Sequence, residues 1–286
     1  MKHILLPTDL LPGADAVWKY MLPLLKITGA DIHFVHAVDD LFVKEERDHI
    51  GAEGVDKITS DLIYKMRSDA EIGMARLKER VYENLAAEGM HNQVNGTVHN
   101  GAVEEVILRI AAEIQPQLIV MGSHDHRKLD RLFFGSVPQS ILKHAGYPVL
   151  ILPEKYSFKP IREVLYMSNL DDEDVYSAGK LINLFSDLPF KLHITHFNLD
   201  SENKDADLYT IADTVRTNYH DIPVEFEVID ARILRDAYRQ YISRKQIDLI
   251  AVTNRKEKGI NKFLHQSTAV DVMYNSKIPV LVFHKS

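Results

Sequence analysis

The sequence predicts an α/β protein made of two tandem domains, each built on a five-stranded parallel sheet. Three observations carry that expectation. Short apolar runs that do not alternate, such as Ile4-Leu5-Leu6 and Leu118-Ile119-Val120-Met121, read as strands buried on both faces. Between them lie stretches with apolar residues three and four apart, so strand and helix alternate, which calls for right-handed crossovers. The plan then starts again after residue 160, and internal repetition on this scale marks duplicated units.

The chain opens on a strand over His3–Leu6 that ends in Pro7-Thr8-Asp9, placing Asp9 at the C-terminal edge of the sheet, where such folds put ligands. Ala14, Val17, Met21 and Leu25 give a helix over residues 14–27, which Pro23 is expected to kink or shorten and Thr28-Gly29 to end. The second strand is Ile32–Val38, closed by Asp39-Asp40. Residues 40–56 are charged and read as a mobile loop. Leu62, Met66, Ala70, Met74, Leu77, Val81 and Leu85 then form one apolar stripe of a long helix, a core face rather than a cofactor box, ended at Gly89. A third strand over Gln93–Val98 leads to a His99-Asn100-Gly101 turn. Val106, Ile107, Ile110, Ala111 and Ile114 mark the next helix, stopped before Pro116.

The stretch LIVMGSHDHRKLDRLFFGS, residues 118–136, is the most informative. A buried strand stops at Gly122, a charged loop follows, and Ser136 stands as N-cap of a helix through Val137, Ile141 and Leu142. Free N–H groups at such a helix start, with the positive end of its dipole, suit a phosphate; an ordinary capped connection has the same spacing. Gly146 and Pro148 stop that helix, and Val149–Leu152 is the fifth strand. PEKYSFKP, residues 153–160, reads as a linker. In the second copy, Val164–Leu170 lies over Ile4–Leu10, Leu192–His196 over Ile32–His36, and Leu249–Thr253 over Leu118–Gly122. Ile278–Phe283 lies over Tyr147–Leu152, and a helix through Leu208, Ile211, Ala212, Val215 and Tyr219 replaces the long helix in shortened form. The boundaries are therefore 1–153 for the first domain, 154–160 for the linker and 161–286 for the second.

Composition narrows the function. The 286 residues are 45% hydrophobic and 26% charged, enough apolar material for two cores. A net charge of −7 and a pI near 6.0 argue against a dedicated nucleic-acid binder. There is no cysteine, which removes disulfides, thiol nucleophiles and cysteine metal sites. No run approaches the roughly 18 apolar residues of a membrane span, and the opening MKHILLPTDLL does not have the form of a signal peptide, so a cytoplasmic protein is expected. Gly-x-Ser-x-Gly, Walker and His-Glu-x-x-His patterns are missing, which leaves catalysis without a signature. His124-Asp125-His126 offers metal-ligand types, but successive side chains diverge and no metal site is assigned. His33, His36, His193 and His196 recur on buried-looking strands and read as hydrogen-bonded packing residues.

With both copies aligned, ILLPTDL, HFVHAVD and LIVMGSHD running on to LFFGSVPQSILKHAGYPVLIL resemble the universal stress protein family over essentially the whole chain. That resemblance implies the adenine-nucleotide α-hydrolase-like fold. It also implies ATP or AMP binding, with Mg when ATP is bound, through Gly-x2-Gly-x9-Gly-Ser/Thr. Carried over, Pro7, Thr8 and Asp9 lie near the nucleoside and Val38 at the adenine. Gly122, Gly135 and Ser136 surround the phosphates, and Met121, His124, Asp125, Arg127 and Val137 are further candidates for contact with the nucleotide. Asp125 stands at the middle glycine, an anion beside a polyanion, with His124, His126, Arg127, Lys128 and Arg131 as compensating groups. The second copy has Thr253, Lys256 and Gln266 at the three glycine positions, keeps only Ser267, and has Asn169 in place of Asp9. The expected function is a stress-response sensor that binds nucleotide in its first domain alone and signals to an unidentified protein partner, with neither nucleic acid nor membrane involved. An interaction scaffold and a weak hydrolase using Asp9 and Asp125 are the alternatives. The last strands, 148–152 and 279–283, are expected to pair within the chain as separate family members do on dimerising, making an intramolecular pseudo-dimer, and further homodimerisation is open.

Overall fold

The computed structural model describes residues 3–11, 14–39, 52–123, 136–153, 156, 159–199, 205–254, 272 and 276–284, without the side chains of 52–59, 136, 205 and 206. Two compact units result, one within Met1–Gly122 and Gly135–Tyr147, the other within Ser123–Phe134 and Pro148–Ser286. No helix among the described residues is long and apolar enough to cross a membrane.

In the first unit the order along the chain is β1 (His3–Pro7), α1 (Asp15–Thr28), β2 (Asp31–Val38), α2 (Ala52–Ala87), β3 (Val94–Asn100), α3 (Val103–Ile114), β4 (Leu118–Gly122) and α4 (Ser136–His144). Its strands run parallel in the order β3-β2-β1-β4, with Leu5 opposite His33 on one side and Ile119 on the other. Ile4, Leu5, Leu118, Ile119 and Val120 are fully buried, as the non-alternating runs require.

Three expectations need correction here. Pro23 neither stops nor shortens α1, which continues to Thr28 and closes on Gly29 at φ 62°. The carbonyl four residues before it belongs to exposed Lys19, so the lost hydrogen bond falls on the solvent side. Residues 52–56 belong to α2 rather than to a loop; 40–51 lie outside the described residues. β3 runs on to Asn100, so the turn there is confined to Gly101, at φ 130°.

The apolar stripe of α2 is core only from Ala70 onward. Ala70, Met74, Leu77, Val81 and Leu85 are buried, but Leu62 is 47% and Met66 39% exposed. At 36 residues the helix is about 54 Å long, while the seven residues of β3 beneath it span about 24 Å. The sheet ends before the helix does.

The second unit contains β5 (Val149–Leu152), β6 (Glu163–Met167), α5 (Asp172–Leu184), β7 (Lys191–Asn198), α6 (Asp205–Asn218), β8 (Val224–Asp230), α7 (Leu234–Lys245), β9 (Leu249–Asn254) and β10 (Val280–His284). Its strand order is β5-β10-β9-β6-β7-β8. All pairs are parallel except β5 with β10, which are antiparallel with Leu281 opposite Leu150. The expected pairing of the last strands is present.

The repetition extends to single hydrogen bonds. Leu5 opposite His33 recurs as Leu165 opposite His193. Thr8 N–H donates to the Val35 carbonyl at 2.9 Å, and Ser168 N–H to Thr195 at 3.0 Å. His36 Nδ1 donates to the Thr8 carbonyl at 2.8 Å and His196 Nδ1 to Ser168 at 2.9 Å, so this pair fastens the loop after the first strand to its neighbour. His33 pairs with the Thr97 hydroxyl at 3.2 Å, and His193 with Glu163 at 2.6 Å. Of the four histidines only His193 is buried; the others are half-buried.

Candidate functional site

In both units the first strand has its sequential neighbour on one side and a later strand on the other. Crossovers leave β1 toward β2 and arrive from the opposite side at β4, and β6 stands in the same way between β7 and β9. Such a switch point opens a crevice beyond the carboxyl ends of the strands. Pro7, Thr8 and Asp9 lie at that end of β1, Val38 ends β2, and Met121 and Gly122 end β4. Leu5 opposite Ile119 sets the register that brings Met121 level with Pro7. Val38 and Met121 are buried, Pro7, Thr8 and Gly122 half-buried, and Asp9 exposed. α4 begins at Ser136 and carries Val137 in its first turn; the Ser136 side chain, and with it the expected cap, lies outside the described residues, as do His124, Asp125, Arg127 and Gly135.

The loop after β1 has a defined shape. Asp9 Oδ1 accepts the Leu11 N–H at 2.9 Å, Thr8 Oγ1 accepts that of Leu10 at 3.1 Å, and Leu10 adopts a left-handed φ of 61°. The loop after β6 has the same backbone: Ser168 Oγ accepts the Leu170 N–H at 3.0 Å, and Leu170 has φ 63°. Its contents differ. Asp174, 1% exposed in the first turn of α5, accepts the Ser168 hydroxyl at 2.7 Å, the Asn169 N–H at 2.8 Å and the Asp171 N–H at 3.3 Å on Oδ2. Its Oδ1 accepts the Tyr166 hydroxyl at 2.7 Å. The Tyr166 oxygen also lies 2.8 Å from Thr253 Oγ1, which donates to Ser177 Oγ at 2.9 Å. Burial, and next the Asp174 carboxylate, hold the Tyr166 hydroxyl well above the usual phenol range.

The first unit has Leu6, Ala14, Val17 and Gly122 where the second has Tyr166, Asp174, Ser177 and Thr253. The correspondence is physical: a Cβ built on Gly122 would meet a Val17 methyl at 3.4 Å, where Thr253 and Ser177 share a hydrogen bond. A side chain at position 122 would therefore fill the crevice from below. Sequence reasoning found Thr253 as a lost glycine but missed Tyr166, Asp174 and Ser177. The one signal was Asp171-x-x-Asp174, a capping-box spacing that says nothing about which way the second carboxylate turns.

A second group of residues the sequence did not single out lies against the same loop. A cleft of about 170 Å³ is lined by Thr8, Leu10 and Ala14 on the loop side and by Gly73, Arg76 and Arg80 of α2. Arg80 pairs with Asp15 at 2.8 Å. No cluster of three metal-ligating side chains occurs among the described residues.

Comparison with known proteins agrees with this architecture. The chain is 26% identical over 164 residues to a universal stress protein of Methanocaldococcus jannaschii, an alignment covering 54% of this chain and 97% of that one. A universal stress protein A homolog of Coxiella burnetii is 28% identical over 149 residues, covering 52% and 94%. Among solved structures, a universal stress protein from Archaeoglobus fulgidus superposes with TM-score 0.73 at 19% identity, covering 99% of this chain and 98% of that one, which establishes the fold. The profile of the universal stress protein family matches residues 1–153 and 193–284, and the chain belongs to that family.

Proposed function

We propose that this universal stress protein is a sensor that binds an adenine nucleotide, ATP or AMP, through its first unit only, while the second serves as a structural or regulatory partner. The observation that carries this reading is the asymmetry at the two switch points. The second crevice is filled by the Tyr166–Asp174–Ser168 and Thr253–Ser177 hydrogen bonds, whereas among the described residues Gly122 and Ala14 leave the first without such a plug. Pro7, Thr8, Asp9 and Val38 would surround the nucleoside. Met121 and Gly122, the loop residues His124, Asp125 and Arg127, then Gly135, Ser136 and Val137 would face the phosphates. Magnesium would enter with ATP, since it is bound chiefly by phosphates and water. The domains divide at 153 and 161, the protein works in the cytoplasm, and nucleotide state is read by a protein partner.

Calorimetric titration with ATP and magnesium, and with AMP, tests this. One nucleotide per chain, abolished in Gly122→Thr and retained in Thr253→Gly, is the expected result. No heat at millimolar nucleotide would remove the sensor reading in favour of a nucleotide-independent scaffold. Steady release of phosphate that disappears in Asp9→Ala would replace it with hydrolysis.

A further inference from the structure

We infer that the outer edge of β8, with the cleft beside it on α7, docks an extended segment of another protein, added to the sheet as a further strand with one large apolar side chain in the cleft. β8 is the last strand of its sheet. Leu192 N–H donates to the Pro223 carbonyl at 2.9 Å and Ala231 N–H to that of Asn198 at 2.8 Å, with Leu192 opposite Val224 and Asn198 opposite Asp230. Alternate residues of a parallel ladder bond to the neighbouring strand. Val224, Phe226, Val228 and Asp230 therefore turn their N–H and C=O groups away from β7, and among the described residues no other backbone group meets them there. Such a row of donors and acceptors matches the backbone of an incoming strand.

The cleft beside this edge measures about 460 Å³ and is floored by Ile229, Ala237 and the buried Tyr241. It has a cause in the sequence. Two residues join β3 to α3 in the first unit, and a Cβ on Gly101 there would lie 3.6 Å from a Val106 methyl. Three residues join β8 to α7, and Ala237 stands at the helix position of Val106, so loop and helix are held apart. Glu227, on the same face of β8 as Ile229, meets Arg244 of α7, so a side chain set beside Ile229 by an added strand enters the cleft. Arg232 and Arg244 cancel Asp230 and Asp236 around it. A charged side chain would lose water there without net compensation, and a large apolar one would not. The opposite edge of the same sheet displays such an occupant, since β10 carries the four apolar residues of β5 in antiparallel pairing. β8 of a second copy fits poorly, because central registers set Glu225 and Glu227 against one another.

This edge gives the partner of the proposed sensor a place to dock, but it stands without the nucleotide reading, and its test contains no nucleotide. The probe is a dye-labelled heptapeptide of alternating threonine and valine with a central leucine, titrated with the full chain and read by fluorescence anisotropy. Saturable binding is expected, weaker by about tenfold with central lysine or glutamate. Methylating alternate backbone nitrogens of the peptide, which leaves the protein untouched, should also weaken it about tenfold. Ala237→Leu fills the cleft and should erase the preference for leucine. In Val228→Pro the lost N–H is one that faces outward, so the ladder to β7 survives while the peptide should no longer bind. Absence of binding at millimolar peptide overturns the inference, as does equal binding of the methylated peptide or a preference for either charged one. A leucine preference that persists in Ala237→Leu places the side chain elsewhere and overturns it too. Dimerisation of the parent chain without peptide, lost in Val228→Pro, would make a second copy the occupant instead.

Discussion

The two switch points share a backbone and differ in what fills it. β1 and β6 end in loops with the same left-handed residue, the same hydroxyl turn and the same histidine clasp. One is closed by a buried carboxylate with four donors, and the other ends in alanine, valine and glycine side by side. A fold can therefore keep the architecture of a binding crevice long after the crevice has been filled from inside, and strand order alone does not tell an occupied site from an open one.

The largest expected effect comes from removing the plug. Asp174→Ala would strand the buried Ser168 hydroxyl and leave the buried Tyr166 hydroxyl with Thr253 alone, at a cost of about 3–5 kcal/mol. Denaturant melts should show a lower midpoint for the second unit, and hydrogen exchange should lose protection at Asn169. Ala14→Asp, the reverse change, should not destabilise the first unit in the same assay.

Next is Gly179→Ala. A methyl at 179 would overlap the Tyr219 hydroxyl, which fixes how closely α5 approaches the end of α6. A cost of about 1–3 kcal/mol is expected, readable as a drop in thermal midpoint, whereas Lys19, the first unit's counterpart, should accept alanine within about 0.5 kcal/mol.

The smallest effect separates the units by pH. Hydrogen bonds from Lys191 at 2.6 Å and Lys245 hold Glu225 down at about 2, from an ordinary 4.5. A depressed carboxylate stabilises the fold fully above its unfolded value and ceases to do so as pH falls from about 4.5 to about 2. Solvent screening limits the contribution to about 1 kcal/mol. Asn95 stands at the equivalent position of β3, opposite His33 as Glu225 is opposite His193. Acid should therefore loosen the second unit before the first, and Glu225→Gln should flatten that part of its pH profile in acid-unfolding curves.

The strands were legible because burial on both faces leaves a non-alternating apolar run, and Val149–Leu152 was placed to the residue. Helix existence was legible from period, but its depth was not. Leu62 and Met66 continue the stripe of α2 past the sheet, and a periodic pattern does not record where the supporting strand ends. The candidate site was half legible. Glycine at 122 and threonine at 253 could be read from the sequence, since a side chain is present or absent there. The inward turn of Asp174 could not, because its spacing suits an exposed helix cap equally well, and only the neighbouring Tyr166 and Ser168 hydroxyls decide between the two.

The antiparallel pairing of β5 with β10 sets an order of events during synthesis. Val149–Leu152 leaves the ribosome well before Val280–His284, its partner on this edge, and is buried at all four positions in the finished fold. At about 5–20 residues per second the wait is on the order of ten seconds. Throughout it an apolar strand edge of the nascent chain lacks its partner, open to pairing with another chain. Truncation before Val280 would make that interval permanent, turning a delay in assembly into an aggregation-prone edge.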